Sequence, residues 1–256
     1  AKINPSNMMT LLENSNLTFF YLLLSFFIGF AGFLIVIKFL HNQSLKSVTT
    51  ARNLIDFSRV FTAFISISLL IVFNVLFSIY SSPEEYIFQF NLNDFLILAL
   101  IAIIFIPVQT SLEEYVFRGY LMQGLGVFFK NKWFPLFVTS LGFGLLHLSN
   151  PEIEKMGNII IIHYVITGLF LGIITLMDDG MELALGFHAG NNLLIALLVT
   201  ADWTVFQTSS VFKYIGEPDI VNQMFYSLLF YPLLLFYFSK KYQWTNWKEK
   251  LTGKIS

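Results

Sequence analysis

No cysteine occurs anywhere in the chain. That excludes a disulfide frame, a thiolate metal site and a thiol nucleophile, and leaves carboxylate, imidazole, hydroxyl and amide groups to carry any chemistry. Charge is scarce too, since Asp, Glu, Lys and Arg make up only 12% of the 256 residues, against about 25% in soluble domains. A net charge of −1 leaves no basic surplus to displace counterions from phosphates, which argues against a nucleic-acid partner. Internal repeats of the kind many secondary transporters show are missing, as are low-complexity tracts. What the chain has in excess is apolar surface, 56% hydrophobic and 18% aromatic residues, above the roughly 45–50% apolar share of soluble proteins. The composition is that of a polytopic membrane protein. With spans of about 20 residues joined by short loops, the expected fold is all-α, a transmembrane helical bundle of seven to eight spans forming one membrane domain over residues 1–256.

The first apolar run, Leu17 to Leu40, exceeds the roughly 7–15 residues of a signal-peptide core and reads as a retained span. Further spans are expected at Val60–Tyr80, from Phe95 through Pro107 towards Phe129, at Trp133–Leu148, Gly157–Met177, Met181–Thr200 and Val221–Ser239. Pro107 is expected to bend its helix, because its ring clashes one turn back and removes a hydrogen bond. An outer N-terminus puts 12 of the 15 Lys and Arg residues on the inner side, leaving Lys2, Lys155 and Lys213 outside, the bias that the positive-inside rule requires. The expected setting is a bacterial inner (plasma) membrane, crossed several times, with the C-terminus cytoplasmic. Gly168 and Gly172 form a small-xxx-small face for close helix approach. The four tryptophans, near helix ends, are expected as interfacial anchors, His41 as a solvated loop residue, His163 as a packing histidine, and Asp178, Asp179 and Glu182 as helix caps.

Polar residues inside the apolar runs carry the functional signal. The segment Ser111-Leu112-Glu113-Glu114-Tyr115-Val116-Phe117-Arg118-Gly119 sets two acids and an arginine where each charge costs about 2.5–3.5 kcal/mol or more in lipid. Positions four apart share a helix face, so Glu114 can pair with Arg118 while Glu113 projects about 100° away. His188 and Asn192 are likewise four apart and present two hydrogen-bond donors. With His147, at the end of Phe143-Gly144-Leu145-Leu146-His147, Glu113 can polarise a water molecule between helices and pass its proton to a leaving amine. His188 and Asn192 then face the oxyanion of a hydrated peptide carbonyl.

The segments Glu113 through Arg118, Phe143 through His147, and His188-Ala189-Gly190-Asn191-Asn192 resemble the three ordered motifs of the CPBP family. That family comprises the CAAX-processing endopeptidases, the Ras-converting CAAX protease among them, and the bacteriocin-immunity (Abi) proteins. The likeness covers roughly residues 107–194, the expected catalytic core. It implies that Glu113 and His147 activate water, that His188 and Asn192 bind the oxyanion, and that Glu114 and Arg118 support the site. The implied activity is endopeptidase cleavage near the inner membrane face. Membrane lipid and a peptide or protein substrate, lipidated or membrane-anchored, are the implied partners. A metal-free mechanism without cofactor is favoured. Zinc held by His147, His188 and Glu113 is the alternative, against which stands the lack of a His-Glu-x-x-His motif. The competing function is a non-proteolytic membrane protein that binds a partner, such as a bacteriocin self-immunity factor or a scaffold.

Overall fold

The computed structural model describes residues 15–255, apart from the side chains of Asn222 and Gln223; Lys2 lies outside the described residues. The apolar runs fold as helices because, with no water to satisfy it, a backbone in lipid must pair its polar groups internally. Helix α1 spans Ser15–Ile35 and ends in a π-helical turn, Val36–Leu40. A short α2, Leu45–Thr49, precedes α3, Phe57–Ser81. Helix α4, Leu92–Glu114, passes without interruption through a π-helical stretch, Tyr115–Leu121, into α5, Met122–Phe129. Then come α6 (Trp133–Leu146), α7 (Glu152–Met156), α8 (Ile160–Asp178), α9 (Glu182–Leu198), α10 (Ile220–Lys241) and α11 (Trp247–Thr252).

Among the described residues, four helical segments are long and apolar enough to cross a membrane: Ser15–Leu40, Phe57–Ser81, Leu92–Phe129 and Ile160–Asp178. Trp133–Ser149 and Glu182–Leu198 are apolar but shorter, so the expectation of seven to eight spans is met only as far as a mostly helical, membrane-type bundle. Pro107 does not interrupt α4. A π-helical stretch, Tyr115–Leu121, follows directly after the paired glutamates.

Glycines set the closest helix contacts. A Cβ on Gly186 or Gly190 would run into the backbone of Val60 or Phe64, so α9 lies directly against α3. The small-xxx-small pair works the same way, with Gly168 against the Ser140 backbone and Gly172 against Leu136, closing α8 onto α6. The apolar core fills the space between these helices, with Phe117, Phe143, Phe170, Leu171, Ile174 and Phe187 all buried.

The connecting segments sort onto two opposite faces. On one, Thr50 bridges Gly180 and Asn131 bridges Lys254, while Met181 N–H donates to the Thr49 carbonyl at 2.8 Å and Ile255 N–H to that of Lys130 at 3.1 Å. On the other, a three-stranded sheet joins β1 (Tyr86–Phe88), β2 (Val199–Thr200) and β3 (Phe212–Tyr214), with β3 central, antiparallel to β1 and parallel to β2. There Glu152 Oε1 accepts from Val205 N–H at 2.8 Å.

Two expectations need correction, the helix caps and the interfacial tryptophans. Asp178 and Glu182 are not caps but buried acceptors. Asp178 receives Arg52 at 2.8 Å, Trp244 Nε1 at 3.0 Å and also Arg59, while Glu182 receives Arg52 at 3.1 Å. Asp179 takes up the left-handed turn after α8 and pairs with Lys250. Trp244 is therefore a buried donor rather than an interfacial anchor, and Trp203 lines the cavity described below. His41 is exposed, as expected of a solvated loop residue, with its Nε2 2.9 Å from Tyr120 Oη.

Candidate active site

Three helices converge on a cavity of about 930 Å³ whose lining includes Glu113, His147, His188 and Asn192. Helix α4 supplies the acids. Glu114 is fully buried and its Oε1 accepts from Arg118 Nη1 at 2.9 Å, the pairing expected from their spacing. Arg118, also fully buried, donates through Nη2 to the Gly168 carbonyl at 2.9 Å and stands 4.7 Å over the ring of Phe143. The close approach of α8 at Gly168 is what brings that carbonyl within reach.

Glu114 Oε1 also accepts from His188 Nδ1 at 2.8 Å. A carboxylate can only accept, so Nδ1 carries a proton. The other ring nitrogen, Nε2, stands 3.6 Å from Glu113 Oε2, so the imidazole lies between the two neighbouring carboxylates.

His147 Nδ1 lies 2.7 Å from the Phe143 carbonyl, one turn earlier on its own helix. A carbonyl accepts only, so this bond places the proton on Nδ1 and leaves Nε2 as the basic atom of a ring that lines the cavity. Tyr164 stacks on that ring, centroids 4.0 Å apart, and Phe143 packs against both His147 and His188.

Sequence reasoning missed two participants. Gln109, nearly fully buried, donates Nε2–H to Glu113 Oε1 at 2.5 Å and accepts from Asn192 Nδ2 at 3.3 Å. It thus ties α4 to α9 and gives Glu113 a partner one turn earlier. The signal was present, a lone amide inside an apolar run four positions before the acid. Tyr164 left no such mark, because it meets His147 only through the packing of α8 on α6. His163, expected to be a packing residue, lines the same cavity with its Nδ1 2.8 Å from Ser227 Oγ.

Among the described residues no three His, Asp or Glu side chains form a metal-holding group. His188 Nδ1 is bonded to Glu114 and His147 Nδ1 to the Phe143 carbonyl, which leaves Nε2 of each ring without a hydrogen bond of its own.

The cavity extends from Glu113 and His147 towards one of the two faces. Its far end is lined by the exposed residues Ser81, Ser149 and Asp219, which belong to connections assigned from the sequence to the outer side. None of its lining residues comes from segments 38–59, 130–132, 178–182 or 240–254.

Comparison with known proteins covers the same helices. Residues 91–194 match the model of the family described as "Type II CAAX prenyl endopeptidase Rce1-like", and that stretch contains Glu113, Glu114, Arg118, His147, His188 and Asn192. The chain is 31% identical over 176 residues to the Bacillus subtilis (strain 168) protein YyaK, described as uncharacterized. The alignment covers 68% of this chain and 59% of YyaK, so the chain spans about three-fifths of that relative's length. No solved structure matches the chain.

Proposed function

We propose that this protein, whose segment 91–194 is Rce1-like, is an intramembrane endopeptidase that hydrolyses a peptide bond without a metal. The observation that carries the reading is the convergence of Glu113, His147, His188 and Asn192 on one cavity inside the matched stretch. Glu113 takes one proton from the water as it attacks the scissile carbonyl, while the basic Nε2 of His147 accepts a hydrogen bond that holds that water in place. Glu113 then returns a proton to the departing amine. His188 and the Asn192 amide donate to the developing oxyanion; one such donor is typically worth about 2.7–4 kcal/mol. Asn192 gives up only a 3.3 Å bond to Gln109 on turning towards substrate, and His188 Nε2 stands 3.6 Å from Glu113, beyond hydrogen-bond distance.

Glu114 and Arg118 support rather than react. Both are fully buried, and Glu114 holds the His188 proton on Nδ1. In this reading α6, α9 and α10 complete a seven-span bundle, an arrangement supported by the sorting of connections onto two faces, and the matched Bacillus protein supports a bacterial plasma membrane as the setting.

The test is to express the protein in a bacterial host and catalogue new protein N-termini by mass spectrometry. Termini produced by the wild type are expected to vanish in Glu113→Gln, His147→Ala and His188→Ala at equal expression. Their persistence, or their absence with the wild type, overturns the proteolytic reading in favour of partner binding. Elemental analysis and a phenanthroline control decide the metal question, since stoichiometric zinc with chelator-sensitive cleavage sinks the metal-free mechanism.

A further inference from the structure

Charge and cavity together give the molecule a direction. The face built from segments 38–59, 130–132, 178–182 and 240–254 carries eleven Lys and Arg against five Asp and Glu. The face built from segments 84–94, 152–155 and 202–219 carries two Lys against eight Asp and Glu. These are physical faces, not a sequence convention. Lys132 N–H bonds the Gly253 carbonyl at 3.1 Å and Ala51 N–H that of Asp179 at 3.0 Å on the basic side. Ile215 N–H bonds the Glu85 carbonyl at 2.8 Å and Asn16 Nδ2 that of Asp94 at 2.9 Å on the acidic side.

The positive-inside bias places the Lys- and Arg-rich face in the cytoplasm. The cavity runs the other way. From Glu113 and His147 it extends between the ends of α3, α6 and α9 to Ser81, Glu85, Asn150 and Asp219 on the acidic side. Towards the cytoplasm the site is closed by fully buried Arg118 and by the core around Ile174, Leu183 and Ala184.

The geometry points to a site supplied from the non-cytoplasmic side of the membrane. Its substrate class is a membrane-anchored polypeptide whose scissile bond lies in the outer leaflet and enters the cavity past Ser81 and Tyr86. The substrate class rests on the proteolytic reading above; the orientation does not.

The cysteine-free chain suits the test. Single cysteines are introduced as Glu84→Cys, on the acidic face, and Thr245→Cys, on the basic face, both at exposed positions. Intact bacterial cells are then treated with a membrane-impermeant maleimide, with the wild type as unlabelled background. Glu84→Cys is expected to be labelled in intact cells and Thr245→Cys only after permeabilisation. Labelling of Thr245→Cys in intact cells, or of Glu84→Cys only after permeabilisation, overturns the orientation. A third variant, Ser81→Cys, places the label in the cavity wall. Treating intact cells that express it is expected to abolish the new N-termini. Cleavage that continues at full modification overturns the access route. Absence of cleavage in every variant and in the wild type, with the labelling pattern intact, removes the proteolytic reading and leaves the orientation standing.

Discussion

Two buried clusters of arginine and carboxylate occupy this molecule, and they are finished differently. On the basic face Asp178 and Glu182 are shared between Arg52 and Arg59, with the Trp244 indole and the Asp56 amide as further donors. The two arginine side chains there remain 26% and 18% exposed, and none of the cluster's residues lines the active-site cavity. In the bundle interior Glu114 Oε1 takes both Arg118 and His188, while Glu114 Oε2 and Arg118 Nε are buried without a partner among the described residues. Beside it Glu113 faces a cavity with one amide donor and one distant imidazole. A saturated cluster open to water clamps connections together. An incompletely satisfied one sealed from water, next to a void, is poised to bind something.

The largest effect that tests this contrast is Glu113→Gln. In the proteolytic reading it removes the base and is expected to lower cleavage by about 10²–10⁴-fold with the melting temperature unchanged. Glu113→Asp withdraws the carboxylate by about 1 Å and should cost on the order of 100-fold. Equal activity of the three proteins would make Glu113 no different from the clamp carboxylates.

Stability separates the clusters next. Arg118→Ala strands Glu114 in a sealed site, which costs about 3–5 kcal/mol when one partner of a buried pair is removed. Asp178→Ala leaves arginines that already reach water, so the loss is about 1–3 kcal/mol, that of deprived hydrogen-bonding partners, and turnover should survive. Denaturation of both variants in detergent measures the gap; equal losses would show that the interior pair is no more sealed than the surface one.

Smaller effects sharpen the picture at the cavity rim. Gln109→Leu removes the amide that orients Glu113, and roughly a tenfold drop in turnover is expected from one hydrogen bond to a charged group. The loss should fall short of additive with Asn192→Ala, because the two amides are bonded. At the mouth, burial raises the Glu152 carboxyl above its ordinary value, with the Val205 amide opposing the shift. The folded state then holds that proton to higher pH than the unfolded chain, so the associated stability is present in acid and drains away as pH rises through the raised value. Glu152→Gln keeps the acceptor for Val205 and removes the titration. The melting temperature of the variant minus that of the wild type should therefore increase as pH rises above the ordinary carboxylate range, and a flat difference would refute it.

What could be read from the residues alone was local and periodic. The apolar runs marked the helices, four-residue spacing marked the Glu114–Arg118 pair, and glycine spacing marked the α6–α8 seam. What could not be read was set by contacts far along the chain. Asp178 looked like a cap because its partners Arg52 and Arg59 lie more than a hundred positions away, and Tyr164 showed no sign of meeting His147. The π-helical stretch after Glu114 follows no composition rule. The cavity's direction escaped as well, since it depends on which helix ends splay apart.

Gly168 has a leverage out of proportion to its size. Its carbonyl receives Arg118 only because no methyl group holds α8 away from Ser140. An alanine there would wedge the seam, carry off the acceptor and unbalance the ion cluster, so a silenced site can originate in a residue outside the cavity lining.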